Sequence, residues 1–151
     1  MIDPIIKSIQ DRIDTLPGVK YVDEDWGQLD YYSPNFPVQW PCVLIDISGG
    51  QFDNIGRDRA ANPVNRQTAD ATVSLTFANL KLTNSSGRAP QAQKDLAFSI
   101  WKLQEDVHAL VHGWKPAENT GALIRRGFTR VKRDDGVQEY TVRYNMSMAN
   151  V

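Results

Sequence analysis

Cysteine is almost absent from this chain of 151 residues, in which Cys42 is the only one. A lone cysteine cannot form an internal disulfide, which excludes the disulfide-stabilised class of small secreted domains. The first residues also lack a basic segment followed by an apolar one, so we expect no secretory signal. Together these two absences predict a protein that is made in a reducing cytoplasm.

Long apolar runs and a large net charge are missing as well. The longest apolar stretch, around Val43 to Ile47, is far shorter than the roughly 20 residues that cross a bilayer. The formal net charge of −1 argues against broad electrostatic attraction to nucleic acid. A hydrophobic share of 41% is that of a globular protein, and the length predicts a single domain over residues 1–151.

Apolar residues at helical spacing predict two helices. The first begins at Asp3-Pro4, carries Ile5, Ile9 and Ile13 on one face, and ends at Pro17-Gly18. The second is long and runs from Ala89-Pro90 to about Gly113. Its apolar residues follow steps of three and four and predict a continuous core stripe: Leu96, Ile100, Leu103, Val107 and Leu110.

Alternating apolar and polar residues predict four strands, and Val19–Val22 is a candidate for a further short strand. They cover about Val38–Ser48, Ala71–Phe77, Leu123–Lys132 and Val137–Ala149, with Gly49-Gly50 ending the first. Asp135-Gly136 between the last two is a hairpin signal. The element order predicts an α+β fold: an antiparallel sheet of about four strands with both helices packed on its apolar face.

A long segment between the first two strands shows neither helical nor strand periodicity. It runs from Gln51 to about Gln67 and is rich in glycine, asparagine and charged residues. Loops of this length inside a domain are usually functional or disordered. We therefore predict a flexible polar loop at about residues 51–67.

The residue types that carry catalysis occur without the partners they need. His108 and His112 lie four apart on the long helix, but no third metal ligand follows at a fixed spacing. Cys42 lies in a strand pattern rather than in an electropositive setting. The sequence predicts no catalytic residue, no metal site and no cofactor, although a small enzyme that uses His108 or Cys42 remains an alternative.

Charge is unevenly distributed along the chain. Acids are frequent in the first third: Asp3, Asp11, Asp14, Asp23, Glu24, Asp25, Asp30 and Asp46. Bases cluster near the end: Arg125, Arg126, Arg130, Lys132 and Arg133. This asymmetry suits either head-to-tail contact between copies or two solvated faces. A weaker alternative is phosphate contact by the basic strand, with Phe128 stacking on bases.

The element order resembles that of the tail terminator (tail-completion) proteins of long-tailed phages. The resemblance covers nearly the whole chain, from Leu16-Pro17-Gly18-Val19 and Trp40-Pro41-Cys42-Val43 through the strand Val73-Ser74-Leu75-Thr76-Phe77 to the helix Lys94–His112 and the terminal hairpin. It implies a structural virion protein without enzymatic activity, which forms a ring, commonly of six copies. The ring caps the tail tube, ends tail elongation and joins the head-completion or neck protein.

Two sets of residues are candidates for the surfaces that such a ring requires. The face that lines a channel for transient passage of DNA would comprise Thr72, Ser74, Thr76, Thr141, Arg143 and Asn145. The interface with a neighbour or with the tail tube protein would comprise Arg57, Asp58, Arg59, Arg66, Arg125, Arg126 and Arg130. The alternatives are another neck, head-closure or baseplate protein, or a cytosolic binding module that uses the aromatic residues of the segment Tyr31–Phe36.

Overall fold

The computed structural model of the chain describes residues 2–31, 37–80 and 85–151. In chain order, its helices and strands are α1 (Ile2–Asp14), β1 (Tyr21–Glu24), β2 (Cys42–Arg57), β3 (Asn65–Leu80), α2 (Gln91–Ala97), α3 (Ser99–Val111), β4 (Ile124–Val131) and β5 (Val137–Met148). A single 3₁₀ turn, Gln28–Asp30, follows β1.

The strands form one sheet in the order β1-β2-β3-β5-β4. The predicted α+β class is confirmed, but the sheet has five strands rather than about four. The additional strand is β1, which lies parallel to β2 over Tyr21–Glu24 and Cys42–Ile45. All other neighbours are antiparallel, and β4 and β5 form the hairpin that Asp135-Gly136 predicts.

The main core lies between the helices and one face of the sheet. Helix α1 buries Ile5, Ile9 and Ile13, and α3 buries Ile100, Leu103, Val107 and Val111. The strands meet them with alternate residues of β3 and β5, from Val73 to Phe77 and from Tyr140 to Met148. Burial of these side chains supplies most of the driving force for folding, as it does in globular domains generally.

A second apolar cluster lies on the opposite face of the sheet. Cys42, Leu44 and Ala78 are completely buried there, and Val38 with the partly buried Leu29 and Trp40 packs on them. The face of the sheet opposite to the helices is therefore covered at one end by Leu29, Val38 and Trp40. The alternation of β2 could not reveal this, because both Val43 and Leu44 are buried, on opposite faces.

The predicted flexible loop at 51–67 is wrong. Residues 51–57 continue β2, residues 65–67 begin β3, and only 58–64 connect them. Strands β2 and β3 pair along their whole length, from Cys42↔Ala78 to Arg57↔Asn65, with two bulges. Residues 48–57 are exposed on both faces, so they carry no alternation of apolar and polar residues, and backbone pairing alone makes them a strand.

Two predicted element boundaries are also wrong. Gly49-Gly50 lies inside β2, next to the bulge that follows Ile47. The long helix is interrupted at Phe98, between α2 and α3. The cause is a competing contact: the Trp101 amide bonds to the Phe98 carbonyl, so that the Ala97 carbonyl accepts from the Gln138 side chain at 3.1 Å.

Candidate assembly surfaces

The predicted channel-lining residues are brought together on one face of the sheet. Their register is Thr72↔Asn145, Ser74↔Arg143 and Thr76↔Thr141, which makes three adjacent pairs across β3 and β5. Thr76 differs from the others because it is only 6% exposed and its hydroxyl lies 3.2 Å from that of Thr141. The hydrated part of this face, the polar face, therefore begins at Ser74 and extends toward Thr72 and Asn145.

Acidic side chains extend the polar face toward β2. Asp46 pairs with Ser74, and Asp53 pairs with Thr68, so both lie on the side opposite to the helices. Burial raises the pKa of the Asp46 carboxyl, and the negative charge of Asp25 raises it further. The only base among the channel-lining candidates, Arg143, donates to Thr129 at 2.6 Å, and the polar face offers little attraction to a polyanion.

Strand β4 forms one open edge of the sheet. It pairs with β5 on one side, and within the described ranges no strand pairs with its other side. From Ile124 to Lys132 it carries four bases and no acid. Ile124, Phe128 and Val131 are also more than a third exposed. An unpaired edge of this kind presents backbone donors and acceptors to a further strand.

The opposite edge of the sheet is acidic. It is formed by β1 and by the part of β2 beyond Ile45, where β1 no longer pairs, and it shows no other partner in the parts of the chain that the structure covers. Over residues 21–25 and 46–57 its one base is Arg57, at the end of β2. Its acids are Asp23, Glu24, Asp25, Asp46 and Asp53. The two edges of one sheet thus have opposite charge.

The predicted arginine cluster of β4 is divided by the pairing. Arg125 pairs with Tyr144, and Arg130 pairs with Tyr140, so both lie on the same side of the sheet as the helices. The Arg130 guanidinium lies 5.5 Å from the centre of the Tyr140 ring. Arg126 falls in the bulge between Arg125 and Gly127 and is exposed. None of the three is among the polar-face pairs.

The other predicted interface residues lie far from β4, at the tip of the β2–β3 hairpin. Asp58 closes the tip, because its amide donates to the Val64 carbonyl at 2.8 Å and its carboxylate accepts from the Ala60 amide at 2.9 Å. Arg57 and Arg59 are exposed. Arg66 is held within the chain: its guanidinium donates to the side chain and carbonyl of Asn150. The structure therefore separates the predicted interface into two surfaces.

Sequence reasoning missed the role of Arg133, which it placed with the other bases near the chain end. This side chain is 10% exposed and forms ion pairs with Asp30 at 2.7 Å, Asp135 at 2.8 Å and Glu139 at 3.0 Å. It also donates to the Leu29 carbonyl. These contacts raise the pKa of Arg133, and they fasten the 3₁₀ turn to the β4–β5 hairpin. The role of Arg133 becomes visible only in the folded chain, because its partner Asp30 is distant in sequence.

The two histidines have structural partners. His108 Nδ1 lies 3.0 Å from the Tyr144 hydroxyl, and His112 Nδ1 accepts from the Arg125 amide at 3.2 Å. Burial lowers the pKa of His108, and the nearby Arg125 and His112 lower it further. Cys42 is completely buried, and burial raises the pKa of its thiol to about 12. A thiol of this kind is not a nucleophile near neutral pH.

Neither a metal-ligand group nor a membrane-spanning helix occurs among the described residues. No group of three or more histidine, cysteine, aspartate or glutamate side chains within these ranges is arranged to hold a metal ion. None of the helices there is long and apolar enough to cross a membrane. Of the aromatic segment Tyr31–Phe36, only Tyr31 is described; it packs edge-on against Trp26, with ring centres 5.6 Å apart, and Tyr32–Phe36 lie outside the described residues.

Comparison with known proteins gave a structural likeness of low sequence similarity. No protein-family model matches the chain, and no curated protein matches it. Among solved structures, a chain in the virion of a native gene transfer agent particle aligns with a TM-score of 0.49 and 9% sequence identity. The alignment covers 96% of this chain and 94% of that chain.

Proposed function

We propose that this protein is a structural component of a phage-type virion, in which six copies form a ring that caps the tail tube. The ring ends tail elongation and presents the surface on which the head-completion or neck protein docks. DNA passes through its channel without being bound. The single observation that carries this proposal is the pair of open, oppositely charged edges on one sheet.

A ring requires an interface that joins two different patches of the same chain. The basic edge at β4 and the acidic edge at β1 and β2 are such a pair, and they lie at opposite ends of one sheet. Strands β2, β3, β5 and β4 alternate in direction. A neighbour added by rotation about an axis along the strands would place its β2 antiparallel to β4 and continue that alternation.

The polar face supports the channel in the same arrangement. If the sheet continues from copy to copy with its helices outside, the face carrying Thr72, Ser74, Arg143 and Asn145 is turned inward. Its acids, Asp46, Asp53 and Asp70, outnumber its one base. A wall of neutral and acidic groups repels the phosphates of DNA slightly, which favours passage over binding.

Electron microscopy of the purified protein, combined with light scattering, tests the proposal. A hollow annulus of six copies is expected. In a virus that carries this gene, a nonsense mutation in it should give tails of excessive length that lack heads. Particles that remain monomeric at high concentration, together with tails of normal length in the mutant, would contradict the proposal. An annulus of another symmetry with normal tail length would favour a neck or head-closure role instead.

A further inference from the structure

A groove of about 340 Å³ lies between α3 and the edge strand β4, on the helix side of the sheet. Trp101 and Phe128 form its apolar wall, with ring centres 6.2 Å apart in an edge-on arrangement. They are 41% and 59% exposed. Two aromatic side chains so exposed beside an unpaired strand form the kind of anchor pocket that protein interfaces use.

The same groove contains a buried donor without a partner. The side-chain amide nitrogen of Gln104, which lines the groove, is inaccessible to solvent and has no hydrogen-bond acceptor in the part of the chain that the structure describes. Leaving such a donor unsatisfied is unfavourable, because its hydrogen bond to water is lost on burial without replacement. A rotation of this amide toward the groove would let it donate to a carbonyl of an incoming chain.

The hairpin of β2 and β3 carries the complementary apolar group. We call its outer part, residues 48–57 with 65–68, the arm. Phe52 on the arm is 48% exposed and pairs with Ala69, whose side chain is buried in the main core. Phe52 therefore lies on the helix side of the sheet. Phe128 pairs with Val142, also a core residue, and lies on the same side.

We propose that the groove between α3 and β4 receives the arm of a second copy of this chain, with Phe52 as the anchor against Trp101 and Phe128. This inference rests on the proposed ring and names the contact that closes it. When β2 of one copy continues the sheet beyond β4 of the next, both phenylalanines lie on the same side. The rim of the groove carries Arg125, Arg126 and Glu105, and the arm carries Asp53, Arg57 and Arg66, so the fit of arm to groove rests on Phe52 rather than on charge.

A double-mutant cycle on self-association tests the contact. Phe52→Ala and Phe128→Ala should each weaken association at least about tenfold. Since the two rings would share one contact, the double variant should be little weaker than either single variant. The matched control is Leu96→Ala, because Leu96 on α2 is 64% exposed and lies outside the groove; its association should equal that of wild type. Thermal unfolding checks that each variant folds.

Cysteine cross-linking locates the contact independently, because the native Cys42 is completely buried. Gln51 and Thr129 pair with Asp70 and Thr141, so both lie on the polar face and their replacement leaves the aromatic anchors intact. A Gln51→Cys, Thr129→Cys chain treated with a short dithiol-specific cross-linker should give a ladder of covalent oligomers. A mixture of the two single variants should give mainly the mixed dimer.

The outcomes separate this inference from the ring itself. If rings form and the alanine variants assemble like wild type, the groove is empty in the ring and the inference is overturned while the ring stands. If Phe128→Ala weakens association but Phe52→Ala does not, another segment fills the groove, which also overturns it. If wild-type protein never associates, both fail. Cross-linking of Gln51→Cys to itself alone would indicate arm-to-arm contact and overturn the inference.

Discussion

Arg133 shows how one side chain connects distant parts of this chain. Its guanidinium contacts three carboxylates, of which Glu139 is the most enclosed, with 12% of its side chain exposed. Burial raises the pKa of Glu139, with Arg133 acting in the opposite direction. Without Arg133, the Glu139 carboxylate would remain in a poorly solvated position with Asp30 nearby. The cation therefore matters mainly because of the charge it compensates.

Replacement of this arginine should destabilise the fold. Arg133→Met retains much of the side-chain volume but leaves Glu139 uncompensated, and we expect the free energy of unfolding at pH 7 to fall by about 3 kcal/mol. Urea denaturation measures this. Adding Glu139→Gln, which removes the buried charge, should restore part of the loss. Equal losses in the single and the double variant would show that the ion pair with Glu139 is not the cause.

His108 gives the fold a pH dependence of definite sign. Its pKa in the folded chain lies below the usual 6.5, so the folded state favours the neutral ring. This contribution to stability is complete above pH 6.5 and is lost as the pH falls through the folded pKa. Protonation also prevents Nδ1 from accepting a hydrogen bond from the Tyr144 hydroxyl.

The prediction is tested by comparing wild type with His108→Asn, whose side-chain oxygen can accept from Tyr144 but does not titrate. Between pH 7.5 and pH 5, we expect the free energy of unfolding of wild type to fall relative to that of the variant. Thermal or urea melts at several pH values measure the difference. Asp46 and Glu139, whose pKa values are raised, gain stability on acidification, but they do so equally in both proteins. Parallel pH profiles would contradict the prediction.

Among the secondary-structure elements, the arm is the least tied to the core. The buried residues of its second strand begin at Ala69. The arm is joined to the chain end by the two backbone bonds between Gln67 and Val151 and by the Arg66 bonds to Asn150. An exposed hairpin without a hydrophobic face contributes little to the stability of the rest of the molecule.

Shortening the arm should therefore leave the fold intact. Asp53 and Thr68 are directly paired, so a two-residue Asn-Gly turn in place of residues 54–67 closes the hairpin at that pair. We expect the free energy of unfolding to change by about 1 kcal/mol, mainly through the lost bonds to the chain end. Urea denaturation and circular dichroism measure it. Loss of cooperative unfolding would mean that the arm belongs to the folding core.

The elements with one buried face are those whose sequence pattern matches their burial most closely. Helix α1, strand β3 from Ala71 to Phe77 and strand β5 all show a period that matches their burial. The arm has no buried face, and Val43-Leu44 in β2 is buried on both, so neither produces alternation. At the helix break near Phe98, the Ala97 carbonyl accepts from the Gln138 side chain. These two residues are 41 apart in the chain, so a local sequence pattern does not reveal the contact.

At the scale of the whole molecule, the order of the strands determines where the charges lie. Along the sequence, acids are frequent in the first third and bases cluster near the end. In the folded chain the acids and the bases lie at opposite edges of the sheet, because β1 and β4 are its outermost strands. The six channel-lining candidates were predictable as a group, since alternation in β3 and β5 defines one face. The separation of the predicted interface residues into two surfaces, with Arg66 near the arm tip and Arg125 on the β4 edge, could not be predicted, because it depends on strand order.

Charge reversal at the basic edge should prevent assembly and leave the fold unchanged. Arg125→Glu with Arg126→Glu places acids opposite the acidic edge of the neighbour, and we expect the oligomer mass measured by light scattering to fall toward that of the monomer. The matched control, Arg88→Glu with Lys7→Glu, makes the same change of charge at two exposed positions outside β1, β2 and β4. The control should assemble like wild type.

Compensation distinguishes edge pairing from a general effect of charge. Adding Glu24→Lys and Asp53→Lys to the Arg125, Arg126 variant places two bases on the acidic edge. These bases can pair with the two new acids on β4, so the oligomer mass should recover in part. In about 1 M salt, where the Debye length is about 3 Å, the single-edge variant should also regain part of its assembly. An unchanged oligomer mass in the Arg125, Arg126 variant, or no recovery when the two lysines are added, would show that copies do not join through these strands.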